Sequence, residues 1–158
     1  MARHTFFSFH YERDVWRAGQ VRNSWVTQER VASGFFDKAA WEEVKKKGDA
    51  AIKAWIDAEL KGTSVTVVLI GAETATRDYV NYEITQSWAK NNGLLGVYIH
   101  NLKDAAQKTD TKGANPFSQW TFKRNGVVVS IPTYDWVSDN GYANLGSWIE
   151  TAANAAGR

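Results

Sequence analysis

Apolar residues along this chain fall into two patterns: short dense runs, and longer stretches where they recur every three or four positions. The first run, "HTFFSF" (residues 4–9), is aromatic and β-favouring, and gives way to the polar "HYERD". That is how a buried strand passes into a loop. Residues 14–25 follow with Val15, Ala18, Val21, Arg22 and Trp25 at helical spacing and Asp14 placed to cap. Residues 26–40 carry the weakest pattern. "WVTQ" offers a short strand, and "ASGFFDKAA" reads as a loop with two aromatics at its tip. A helix is expected from Trp41 to Lys61, with Val44, Ala51, Ile52, Trp55, Ile56 and Leu60 on one broad face, stopped by Gly62.

The clearest strand is "SVTVVLIG" (64–71), β-branched and apolar on both faces, as suits the centre of a parallel sheet. A helix over about 77–90 places Val80, Ile84 and Trp88 at i, i+4 and i+8. "GLLGVYIH" (93–100) is a fourth strand. A polar stretch without period (101–120) comes next, of a length that is uncommon and often functional inside compact domains. "GVVVSIP" (126–132) reads as a fifth strand or edge segment, and "YANLGSWIETAANAA" (142–156) as a closing helix. The order β-α-(β)-α-β-α-β-loop-β-α predicts an α/β fold: a mostly parallel, flavodoxin-like sheet with helices on both faces, in a single domain over 1–158. Ligands bind such sheets outside the carboxyl ends of the strands. "FHYERD", "GAETATRDY" and "HNLKD" meet at that edge.

Composition narrows the chemistry. With 44% hydrophobic and 23% charged residues, the chain belongs with soluble globular proteins. Zero cysteines exclude disulfides, thiolate catalysis and cysteine-based metal sites, and fit a cytoplasmic location. No run approaches the ~20 apolar residues of a membrane span, so no membrane partner is expected. A formal net charge of +2 offers nucleic acid little attraction, and Lys45-Lys46-Lys47 reads as a solvated helix end. The eight tryptophans are core or rim anchors, or stacking surfaces for a base or sugar.

The usual site motifs are missing. There is no GxGxxG, GxxxxGK[ST], HExxH or G-x-S-x-G, and three histidines (His4, His10, His100) are too scattered to predict a metal site. His10 and His100 each close a predicted strand. Arg17 and Arg22 on the first helix are candidates for phosphate contact, but pairing with acids or covering sheet edges is the stronger reading. What remains is Glu83 on the 77–90 helix. It lies about 60° from Val80 and about 100° from Ile84 around the axis, on the flank of the buried stripe. Tyr79, four positions earlier, shares its side; Asn81 lies about 160° away. From the pattern alone, such a glutamate is an ordinary solvated helix residue.

Two strings alter that reading. "FFSFHYERD" resembles the opening strand and first loop of TIR domains, and "YVNYE" resembles their helix motif of a tryptophan with a glutamate four positions on, Tyr79 standing for the tryptophan. The chain as a whole is similar to the TIR-like family typified by the Thoeris B proteins of bacterial anti-phage defence, through "FFSFHY", "QVRNSWV", "GFFD", "WEEVKKKGD", "VNYEI", "YIHNLKD" and "NPF" in that order. The resemblance covers most of residues 3–117.

The resemblance implies an enzyme that takes NAD as substrate, holds no permanent cofactor or metal, and makes an ADP-ribose-derived nucleotide sensed by a separate effector. Glu83 is the implied catalytic residue. Phe9, His10, Tyr11, Tyr79 and Asn81 are the implied substrate contacts, and homo-oligomeric assembly is implied as well. The chemistry is coherent with one carboxylate, because nicotinamide leaves as a neutral molecule and needs no general acid, unlike an ordinary glycoside's alkoxide. Two departures, Tyr79 for tryptophan and Phe-His-Tyr after the first strand, bear on substrate orientation. The competing reading is a non-catalytic TIR-like interaction or nucleotide-binding module.

Overall fold

The computed structural model describes residues 3–26, 32–34 and 36–158. Its strands are β1 (Thr5–Ser8), β2 (Ala32–Ser33), β3 (Val65–Ile70), β4 (Gly93–Tyr98), β5 (Phe122–Arg124), β6 (Val127–Val129) and β7 (Thr133–Asp135). Its α-helices are α1 (Tyr11–Val26), α2 (Lys38–Lys46), α3 (Asp49–Leu60), α4 (Asp78–Ala89) and α5 (Gly141–Ala155). Five strands make one parallel sheet in the order β2-β1-β3-β4-β7. This is the flavodoxin-like order, with its reversal point between β1 and β3.

Side chains alternate across each strand, and the alternation assigns the layers. Phe7, Val67, Leu69, Leu95 and Val97 pack under α1 (Ala18, Val21, Trp25) and α5 (Leu145, Ile149, Ala152). Val68, Ile70 and Leu94 face α4 through Val80 and Ile84. Phe6 meets Trp41 of α2 and Ile52, Ile56 and Leu60 of α3. All six residues of β3 are buried, so the run that is apolar on both faces is the sheet's centre.

Three expectations are corrected. The helix expected over 41–61 is two helices. Gly48 takes φ +96 as the N-cap of α3, and Asp37 caps α2 by accepting hydrogen bonds from the Ala39 and Ala40 amides. The break lets Trp41 and Ile52 converge on Phe6 from different directions. The 126–132 run does not join the sheet. Asn125 and Gly126, at φ 55 and 79, turn β5 into an antiparallel hairpin with β6, and the parallel edge strand is β7. Positive φ at both central residues is the signature of a tight hairpin turn. Of the strand expected at "WVTQ", Trp25 and Val26 end α1, and 27–28 lie outside the described residues.

Asp14 does not cap α1, which begins three residues earlier. It is fully buried, packed so closely on Gly71 that a Cβ there would meet its carboxylate. Around it α1 clamps the long polar stretch. Arg17 donates to the carbonyls of Leu102 (2.7 Å) and Lys108 (2.9 Å), and Arg13 grips both carboxylate oxygens of Asp110 at 3.0 Å. The 101–110 segment is thus ordered by polar contacts from α1, which no hydrophobic period could announce.

Burial pushes the Asp14 carboxyl up from its ordinary 3.8 to about 6, against the pull of Arg17 3.8 Å away. A carboxyl raised on folding contributes stability that is complete below its unfolded value and lost as pH climbs through the folded one. The loss for Asp14 is about 3 kcal/mol above about pH 6. Asp14→Asn therefore gains about 2 kcal/mol on wild type between about pH 4 and about pH 8. Denaturant unfolding at both pH values checks this; an unchanged difference would refute it.

Candidate active site at the β1–β3 reversal point

The site begins with strand alternation. Phe7 and Phe9 point toward α1 and α5, so Phe6 and Ser8 point to the opposite side, where α4 lies. Ser8 is fully buried, and its hydroxyl donates to Oε1 of Glu83 at 2.7 Å. Glu83 is itself 5% exposed. No lysine, arginine or histidine comes within ion-pair distance of it among the described residues. Burial pushes its carboxyl up to about 8, and only the Ser8 hydrogen bond opposes the shift. In the empty site at neutral pH the group holds its proton. A carboxylate so placed is costly to ionise unless a cation enters beside it.

A narrow cleft of about 30 Å³ leads to this carboxyl. The segment after β1 supplies Phe9, His10, Tyr11 and Glu12; α4 supplies Tyr79, Val80 and Glu83, with Arg77 at its N-cap; α2 contributes Trp41. The aromatics form a continuous wall. Tyr11 and Trp41 rings lie 5.2 Å apart, Trp41 meets Tyr79 edge-on at 6.5 Å, and Phe9 lies 6.3 Å from Tyr11. The Tyr79 hydroxyl donates to Asp49 at 2.9 Å, which fixes the ring from outside. His10 is 7% exposed, and burial first, then Arg77, lowers its pKa, so it lines the cleft as a neutral imidazole. Glu12 is held by Lys45 at 3.0 Å.

The structure brings five of the six sequence candidates together: Phe9, His10, Tyr11, Tyr79 and Glu83 line one cleft. Asn81 is not among them. α4 is a regular helix through its first turn, so Asn81 stays on the far side. There it donates to the Ala75 carbonyl at 3.4 Å and accepts from Gln119 at 3.2 Å. It opens instead on a separate recess of about 360 Å³ with Tyr82 and Trp120. His100 closes β4 away from the cleft, 4.0 Å from Asp135. Glu12, Trp41, Arg77 and Val80 are the cleft residues that sequence reasoning missed, together with Ser8, which is buried behind the cleft on Glu83. Strand alternation could have found Ser8, which lies on the face opposite Phe7 and Phe9. Trp41 carried no signal, because its place depends on the break at Gly48. Among the described residues no cluster of three His, Asp or Glu could hold a metal ion, and no helix is long and apolar enough to cross a membrane.

A 2-1-3-4-5 parallel sheet with a buried helix glutamate facing the first strand at the reversal point has the architecture of a TIR-like domain. The comparisons agree: residues 6–104 match the family described as "Thoeris protein ThsB, TIR-like domain", and the chain belongs to that family. It is similar to the "Putative cyclic ADP-D-ribose synthase ThsB1" of Bacillus cereus (strain MSX-D12). The two are 36% identical over 191 aligned positions, covering 94% of this chain and all of that protein.

Carbon-13 NMR of the glutamate carboxyls should show one group, Glu83, titrating near pH 8, consistent with its position at about 8. Ser8→Ala removes the hydrogen bond that favours the charged form and should move that titration higher. A midpoint in the ordinary carboxylate range would mean that water reaches the group freely.

Proposed function

We propose that this protein is an NAD-consuming enzyme that breaks the nicotinamide–ribose bond and forms an ADP-ribose-derived, cyclic signalling nucleotide in bacterial anti-phage defence. A separate effector senses the product. The observation that carries the reading is Glu83: a buried carboxyl, hydrogen-bonded by Ser8, at the end of an aromatic cleft at the sheet's reversal point. The name of the Bacillus cereus relative supports the choice of product.

Each residue has a part that its chemistry fits. The nicotinamide ring of NAD is a cation and flat, so the aromatic wall of Tyr11, Trp41 and Tyr79 suits it. Its positive charge next to Glu83 favours loss of the carboxyl proton that the empty site retains. As the C1′–N bond breaks, its electron pair passes to the ring nitrogen and nicotinamide leaves neutral. The ribose is left as an oxocarbenium-like cation, and the Glu83 carboxylate faces it in surroundings that exclude water. Capture of C1′ by an adenine nitrogen of the same molecule gives the cyclic product; capture by water gives ADP-ribose. Neutral His10 and Tyr11, which line the same cleft, are assigned to the sugar.

The cleft has room for little more than a water molecule. A ribose reaches Glu83 only after Trp41 and Tyr11 separate. Trp41 is carried by α2, a nine-residue helix separated from α3 by the backbone break at Gly48.

The direct test is NAD loss and product mass in phage-challenged cells expressing wild type or Glu83→Gln at equal levels. Wild type should yield an adenine-containing product without nicotinamide, and Glu83→Gln should lower it at least about 100-fold. Persistence of NAD under every challenge, with defence intact in both, would leave a non-catalytic module. In the purified active form, kcat/KM reports the free enzyme. It should rise with pH toward a plateau above about 8, following the raised carboxyl of Glu83, and Ser8→Ala should displace that limb upward. A limb near the ordinary glutamate value would overturn the assigned protonation state.

A further inference from the structure

Among the described residues almost every arginine side chain has a fixed partner. Arg3 pairs with Glu150 at 2.9 Å, and Arg13 with Asp110 and Glu73 at 3.0 Å. Arg17, a phosphate-contact candidate by sequence, is buried on the carbonyls of Leu102 and Lys108. Arg22, the other candidate, lies over the Phe36 ring at 5.3 Å. Arg124 and Arg158 donate to main-chain carbonyls. Arg77 is different. It lines the cleft and is exposed, and its side chain forms neither a hydrogen bond nor an ion pair among the described residues.

Two acids near it are already committed, and a third, Asp78, lines the separate recess instead. Glu12 is held by Lys45 at 3.0 Å, and Glu73 by Arg13 at the same distance. His10 and Glu83 are neutral when the cleft is empty. A positive charge without a direct ion-pair partner therefore stands at the mouth of a cleft whose end, the neutral Glu83 carboxyl, is uncharged. Its distance from Glu83 is also informative. Arg77 precedes Glu83 by six positions on α4, an axial separation of about 9 Å. Helix side chains lean toward the N-terminus, which brings the carboxyl nearer to the arginine. Arg77 and Glu83 line the same cleft, so the phosphate on the 5′ oxygen of a ribose held at Glu83 comes within reach of the guanidinium when that oxygen is turned toward the N-cap of α4.

We infer that Arg77 receives the diphosphate of the dinucleotide and sets the preference for a dinucleotide over an uncharged riboside. The inference rests on the reading of the cleft as an NAD site. A guanidinium is the group suited to this task, since its fork matches two phosphate oxygens at once and its charge persists at every working pH. Leaving it unpaired in the free protein means that no ion pair must be broken on binding.

Arg77→Gln and Arg77→Lys in the full chain test this, because an exposed side chain without partners can be replaced without loss of fold. ADP-ribose binding to wild type, measured by calorimetry, should weaken with added salt. Arg77→Gln should bind it about 10- to 100-fold less tightly with a flatter salt dependence, and Arg77→Lys should recover part of the loss. In turnover, Arg77→Gln should raise KM for NAD with little change in kcat, the mark of lost uniform binding. Equal affinity and KM in wild type and Arg77→Gln would overturn the role of Arg77 while leaving the NAD reading intact. Wild type that neither binds ADP-ribose nor consumes NAD would overturn both.

Discussion

The hydrogen bond from Ser8 to Glu83 ties the last residue of the first strand to the inner flank of α4, across 75 positions of sequence. Everything else at the site is arranged around it. An ionisable group inside a protein needs a partner or must stay neutral, and here one neutral donor is the whole of the polar support. The carboxyl is held in place without being charged. That combination suits a group whose charge is wanted only when a cationic ring arrives, since stabilisation realised late in a reaction is the kind that accelerates it.

The aromatic wall and the uncharged interior follow from the same economy. Tyr11, Trp41 and Tyr79 come from three separate helices and meet above Glu83. They narrow the approach to Glu83 while the site is empty, and burial is what raises the carboxyl. Their geometry also makes the closed cleft too small for a nucleotide, so access and protonation are linked: any movement that admits substrate also changes the surroundings of Glu83.

On the other side of the sheet edge the charged residues do structural work. Arg13 and Arg17 extend from α1 to bind the long segment after β4, and buried Asp14 lies between them and Gly71. Because these cations are consumed in holding the loop, Arg77 is, among the described residues, the arginine that lines the cleft. The division follows from geometry: α1 carries its basic residues on the face toward the loop, while Arg77 stands where α4 begins, beside the cleft.

The sheet order and the helix bearing Glu83 were legible in the sequence, because dense β-branched runs and three-to-four spacing report directly on strands buried from both sides and on helices with one buried stripe. The cluster of Phe9, His10, Tyr11, Tyr79 and Glu83 was legible through family resemblance and through the rule that loops gather at the carboxyl ends of parallel strands. What the sequence could not decide were relations between distant residues. The protonation of Glu83 depends on how deeply the packing of α4 against β1 buries it, which no local pattern encodes. Asn81 and Glu83 are two positions apart, yet a regular helix turns them to opposite sides. Gly48 divides a continuous apolar stripe in two because Trp41 and Ile52 both find Phe6, a contact set by packing. Arg77 looked no different from Arg17 or Arg22 until the fold had occupied those two and left it without a partner. Sequence fixes which elements form; only their assembly fixes which charges are neutralised and which remain free.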